Sequence, residues 1–351
     1  MTQVASKEDT RVWTKELVQK HAQTAVKVEL YTLPFYLTAL ASIIDKESNA
    51  YKSLLSICIE EMLHLQLAAN LCIALDTQPI FEAPIYGIDI PYLKPNDPET
   101  KHFNLINAKL DAFNTRTLDT MLDIETPNGL EEHPDRKKGP GRKIIDWVEH
   151  EFEEMWNMDK HETPNYPYSC IGEMYNALIV GIHKVGENQF SWNYKNQQLS
   201  WDKAPTFRKI FKQVVINLHD AEEVVKLISL QGEGDTDHKT IPAHYKLDHE
   251  LDFHGLNEYS HYERLLDIKN LGLKEVKVYS VVNNGENQEE QQKALENLQD
   301  SFRLFLFELD EIWNKGKVIN DEKAFWGIMK NVLMPYLENC WKSGVVPKWT
   351  P

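Results

Sequence analysis

The sequence predicts an all-α protein, and three observations carry that prediction. Glycine is scarce, 15 of 351 residues, and long segments pass without glycine or proline. Apolar residues recur at spacings of three and four through several long windows, the period of a helix with one buried face. The first two windows are joined only by the short polar turn "DKESN" (45–49), which places two helices antiparallel and side by side. With 42% apolar and 26% charged residues, the chain can bury a substantial core as one large domain or two ordinary ones.

The elements follow in order. Residues 11–44 read as one long helix, with a kink or local widening expected at Pro34, which lacks a backbone donor. Ser48 or Asn49 caps a second helix over about 50–76. Between 77 and 165 the texture changes to a long, partly helical insertion. It holds amphipathic pieces ("NAKLDAFNTRTLDTML", "IIDWVEHEFEEMW") and a basic patch at 134–143 that reads as a solvated loop. Helical texture returns at 167–186 and 205–231, "QGEGD" (231–235) interrupts it, and further helices are expected at 253–270 and, as a pair, within 287–343. The expected organisation is a helical bundle over 1–270, with the insertion at 77–165, and a C-terminal helical extension over 271–351 packed on it.

Charge and cysteine usage narrow the function. A formal net charge of −16 disfavours nucleic acids and anionic membrane surfaces as partners, and the acidic excess itself serves solubility. Cys58, Cys72, Cys170 and Cys340 are widely spaced and form no CxxC pair, which fits buried, reduced thiols. The first residues do not read as a signal peptide, and no apolar run approaches the roughly 20 residues that span a bilayer. A cytoplasmic protein is expected, with a homodimer as the default assembly.

The chemistry sits in "IEEMLHLQLAANL" (59–71), an apolar helix that carries Glu60, Glu61 and His64. Charged groups leave water at high cost unless they are paired or bind metal. Glu61 and His64, three apart, share a helical face, and the same spacing recurs at Glu258 and His261. Spacing alone is weak: 54 acidic residues and 13 histidines give about two acid-x-x-His pairs by chance, and the chain has four. Context adds the weight. Glu29 and Glu173 each stand alone in an apolar helix, so four helices supply Glu, Glu-x-x-His, Glu and Glu-x-x-His in chain order. This is the ligand set of dinuclear carboxylate bundles, in which four glutamates balance two divalent cations and two imidazoles complete a shell suited to iron or manganese. Glu60, about 100° around the helix from Glu61, is assigned to solvent or a salt bridge. An inverted alternative uses His219 and Glu222 on the 205–231 helix in place of Glu258 and His261.

The blocks "VELYTLPFYLTALASI", "EEMLHLQLAANL", "IGEMYNAL", "LISLQGEG" and "EYSHYERL", with "LDTMLDIETP" in the insertion, resemble the ferritin-like iminophenyl-pyruvate dimer synthase family. The resemblance runs in blocks over about residues 15–270. It implies a ferritin-like four-helix bundle with a dinuclear metal site, Glu29, Glu61, His64, Glu173, Glu258 and His261 matching the ligand positions. Glu233, in "QGEG", falls in another block, where it either touches metal or shapes the turn between its two glycines. The synthases of known pathways are larger multidomain chains, so the substrate does not transfer with the resemblance.

The expected function is therefore a dinuclear non-haem iron oxidase or oxygenase, holding two Fe ions with Mn as the alternative. It would use dioxygen or peroxide on a small organic substrate, an amino-acid-derived imine or amine by resemblance. A peroxide-disproportionating or metal-storage protein of the same bundle, and a metal-free helical binding protein, are the rivals. The insertion and the 232–252 loop are expected to cover the site, which favours an organic substrate over storage. Tyr31, Tyr36, Tyr175 and Tyr262 lie near ligands in sequence. Core packing is the first expectation for each, and Tyr36, Tyr175 and Tyr262 are also candidates to hydrogen-bond the ligands. Cys58 and Cys170, three residues before Glu61 and Glu173, are read as small packing residues on the ligand-bearing faces.

Overall fold

A computed structural model describes residues 13–87, 106, 108–126, 170–198, 214–233, 259–282, 288–316 and 329–350. Among these the regular structure is helical, with one isolated antiparallel bridge between Ile43 and Val278. The helices are α1 (Lys15–Ser42), α2 (Asn49–Ala74), α3 (Thr115–Ile124), α4 (Ile171–Val185), α5 (Leu218–Gly232), α6 (His261–Leu271), α7 (Gln288–Trp313) and α8 (Met334–Lys342), the last preceded by a π-helical turn at Met329–Leu333.

Five of these starts are set by side-chain caps. Thr14, Ser48, Asn114, Asn217 and Ser260 each accept a hydrogen bond from a backbone N–H in the first turn that follows. Two caps interrupt helices expected to run through them. Residues 214–217 are not helical, so α5 begins at Leu218, and the expected helical stretches at 205–213 and 253–258 lie outside the described residues. Ser260, in an extended conformation, starts α6 at His261. "SHYE" (260–263) is a capping-box sequence that marks this boundary.

α1 and α2 are antiparallel: Gln19 near the start of α1 donates to the carbonyl of Leu75, just past the end of α2, at 2.9 Å. α1 runs through Pro34 without interruption, and the Tyr86 hydroxyl donates to the Tyr31 carbonyl beside it at 2.7 Å. α4 packs on α1, and α5 on both α4 and α2, which closes a four-helix ring. α6 packs against α2, α3 and α5. The fourth bundle helix is thus the 218–232 segment and not the 261–271 helix that the ligand template had placed there.

α2 is the centre of the molecule, buried along almost its whole length between α1, α5, α6 and α7. Contrary to the expectation from sequence, it is long and apolar enough to cross a bilayer, but its apolar stretch is entirely buried inside the protein. All four cysteines are free and buried.

The residues after 271 share the bundle's hydrophobic core. Trp341 and Trp349 both dock on Thr38 of α1, donating to its carbonyl at 2.9 Å and its Oγ1 at 2.7 Å. Thr38→Val keeps the shape but strands the buried indole N–H of Trp349. We expect it to cost about 1–3 kcal/mol in urea unfolding, the penalty of an unsatisfied buried donor. No measurable loss would show that water replaces the hydroxyl.

Candidate metal centre

The α2 register turns Glu61 and His64 towards α1 and Glu60 towards α6. On the first side, Glu61 Oε1 lies 3.5 Å from His64 Nδ1, and Glu29 Oε2 on α1 lies 3.9 Å from the same nitrogen. His261, the first residue of α6, completes the group: its Nδ1 stands 3.0 Å from Glu61 Oε1. The two imidazoles stack, with centroids 5.3 Å apart. One ligand atom from each of Glu61, His64 and His261 falls within 4.8 Å of the others, and all three residues are buried.

Both rings turn the same nitrogen inward because the other is engaged. His64 Nε2 lies 2.9 Å from Gln231 Oε1 at the end of α5. His261 Nε2 donates to Glu60 Oε2 at 2.9 Å, and Glu60 is itself held by the buried Arg264. Arg264 also donates to Ser56 Oγ at 2.7 Å and to the Tyr259 carbonyl at 2.9 Å. With both Nε2 atoms tied back, Nδ1 is the nitrogen of each ring that faces the cluster. Glu60 is thus in a salt bridge, as one of its two assigned roles had it, but it is fully buried and not in solvent.

The carboxylates are aimed by hydroxyls. Tyr175 donates to Glu29 Oε1 at 2.7 Å, Tyr36 to Glu125 Oε1 at 2.6 Å, and Thr32 contacts Glu61 Oε2. Tyr36 and Tyr175 therefore do more than fill the core. Tyr31 stacks on Tyr86 with centroids 4.8 Å apart, and Tyr262 is a buried core residue.

A ferritin-like family model matches residues 22–270 of the chain. The chain belongs to the ferritin-like family. A crystal structure of a ferritin-like protein from Caulobacter vibrioides is similar over 97% of this chain and 99% of that one, with a TM-score of 0.67 and 25% sequence identity. A search of the curated proteins returns no match.

The other expected ligands of this ferritin-like chain fare differently. Glu173 lies within α4, but its side chain is outside the described residues, as is Glu258 altogether. His261 is the first residue of α6, after the extended Ser260. The inverted alternative is overturned: His219 is exposed, and Glu222 pairs on the surface with His183 at 2.9 Å. Glu233 accepts from the Gly172 N–H at 2.6 Å and so caps the start of α4. A Cβ on Gly172 would meet the Glu233 carboxylate at 2.6 Å, so the contact requires glycine. Cys170 is buried just before the first residue of α4, its carbonyl accepting from the Met174 N–H at 3.3 Å. The basic patch at 134–143 and the covering loop at 232–252, beyond its first two residues, lie outside the described residues.

Glu125 is the site residue that the sequence reading passed over. It follows Leu118, Met121 and Leu122 at helical spacing on the buried stripe of α3, and a carboxylate on such a stripe was a usable signal. Electrostatics couple the acids and imidazoles of the ferritin-like site. Burial and the nearby Glu61 charge push Glu29 up to about 8. Burial opposes ionisation of Glu61 too, but the two imidazoles outweigh it and hold this carboxyl far below its usual range. Burial lowers both histidines, yet the surrounding carboxylates win and raise them, His261 most of all. Among the described residues neither Glu29 nor Glu61 pairs with lysine or arginine.

Proposed function

We propose that the chain is a dinuclear non-haem iron oxidase or oxygenase acting on a small organic substrate with dioxygen or peroxide. The observation that carries this reading is the convergence of two buried Nδ1 atoms and the Glu61 carboxylate, with both Nε2 atoms tied back. His261 Nδ1 is fully buried and makes no hydrogen bond despite two carboxylates within reach, which fits a donor atom awaiting a cation. Oxygen and imidazole donors suit iron or manganese.

Glu29, Glu61, His64 and His261 would hold the metal. Bound iron would supply the redox chemistry that activates the oxidant. The chain's own part is placement. Tyr175 fixes Glu29, Thr32 orients Glu61, Gln231 and the Glu60–Arg264 pair set the imidazoles, and complete burial excludes bulk water. The motif resemblance to iminophenyl-pyruvate dimer synthases supports an amino-acid-derived imine or amine as the substrate class.

Elemental analysis after anaerobic loading with ferrous iron tests the reading. About two irons per wild-type chain are expected, and Glu61→Ala, which removes the carboxylate that lies between both imidazoles, should retain fewer than about half of them. Preference for manganese would move the function towards peroxide chemistry. No tightly held metal in the wild type would sink the proposal.

A further inference from the structure

Glu125 lies outside the four-helix bundle, at the C-terminal cap of α3 in the insertion, yet its side chain is 1% exposed and reaches into the site. Three bundle-side features receive it. The Tyr36 hydroxyl of α1 donates to Oε1 at 2.6 Å. His261 Nδ1 stands 3.5 Å from the same oxygen. Gly232, at the end of α5, leaves space for the other oxygen, since a Cβ there would be 3.1 Å from Oε2.

His261 Nδ1 is buried 3.0 Å from Glu61 Oε1 and 3.5 Å from Glu125 Oε1, yet it makes a hydrogen bond to neither. Two carboxylates and an imidazole nitrogen gathered away from water are an oxygen-and-nitrogen donor set suited to a divalent transition metal. Arg264 is engaged by Glu60, and among the described residues no lysine or arginine pairs with Glu125.

We propose that Glu125 is a ligand of the divalent transition metal held by His261, so that the insertion completes the site from outside the bundle. This rests on the dinuclear reading above. It gives α3 and α6, which pack on each other, a shared reason to dock: each contributes one donor to the same ion. Metal binding and ordering of α3 on the bundle are therefore linked.

The test is an anaerobic ferrous titration of the full chain in wild type, Glu125→Gln and Glu125→Asp, with hydrogen exchange across Thr115–Ile124. Glutamine keeps an acceptor for Tyr36 at nearly the same volume, and aspartate keeps the charge but withdraws it by one methylene. Both variants are expected to keep one iron and to bind the second at least about 10-fold more weakly. Iron should slow exchange in α3 of the wild type and not in Glu125→Gln. Two irons held with wild-type affinity by both variants, with α3 still protected, would overturn the role of Glu125 and leave the dinuclear reading intact. A wild-type chain that holds no iron would overturn both.

Discussion

Arg264→Ala is expected to destabilise the metal-free protein by about 3–5 kcal/mol, the range for removing one partner of a buried ion pair. Arg264 and Glu60 are both essentially excluded from solvent, and the arginine holds Glu60 ionised against the cost of burial. Without it, Glu60 would take up a proton or draw in water, and Ser56 would lose its donor. Urea unfolding of the full chain measures the loss. A change under about 1 kcal/mol, within the range of an exposed pair, would refute this account of the contact.

Replacing both partners by methionine separates stability from positioning. Such exchanges of buried ion pairs are often neutral or stabilising, so the double variant should recover most of the lost stability. It would still leave His261 Nε2–H without its acceptor, and metal affinity should remain about 10–100-fold weakened. That split would show that the pair serves mainly to orient His261.

The second large effect is on pH dependence. The metal-free protein is expected to lose stability as pH rises from about 5 to about 8. Glu29, raised to about 8 by burial and by Glu61, keeps a proton in the folded chain that the unfolded chain has released above its ordinary carboxylate range. The folded state therefore binds more protons in this window, and stability falls with rising pH by up to about 1.4 kcal/mol per unit for one such group. His64 and His261 act in the same direction: with raised folded values, the stability they contribute is present below the ordinary imidazole range and lost above it. Glu60 and Glu61, shifted down, contribute above the carboxylate range and lose that contribution only at lower pH.

Glu29→Gln imitates the protonated acid and still accepts from Tyr175, so it should flatten the pH profile. In the loaded wild type the trend should reverse, because metal displaces the protons and binds more tightly as they leave. Denaturation at about pH 5.5, 7 and 8.5, with and without ferrous iron, reads both effects. A flat profile for the metal-free wild type would mean that Glu29 is ionised throughout.

Most of the bundle was legible in sequence because a helix buried on one side must repeat its apolar residues near every 3.6 positions. The Lys15–Ser42 and Asn49–Ala74 pair, the Ser48 cap and the helix at Ile171–Val185 all follow from that local rule. Polar residues on apolar helices are equally visible, which is why Glu29, Glu61, His64 and His261 stand out before any coordinates. The two interrupted helices came from following periodicity through Asn217 and Ser260, whose side chains cap a new start.

What the sequence by itself determined is therefore the helices, their all-α class and a short list of buried acids and imidazoles. Only the tertiary structure decided which helix closes the bundle and which nitrogen each histidine turns inward. It also decided that Glu60 serves Arg264 while Glu125 enters from the insertion. The physical reason is range: helix periodicity and capping act within a few residues. The pairing of Glu60 with Arg264 and of Glu125 with Tyr36 joins residues that only folding brings within hydrogen-bonding distance.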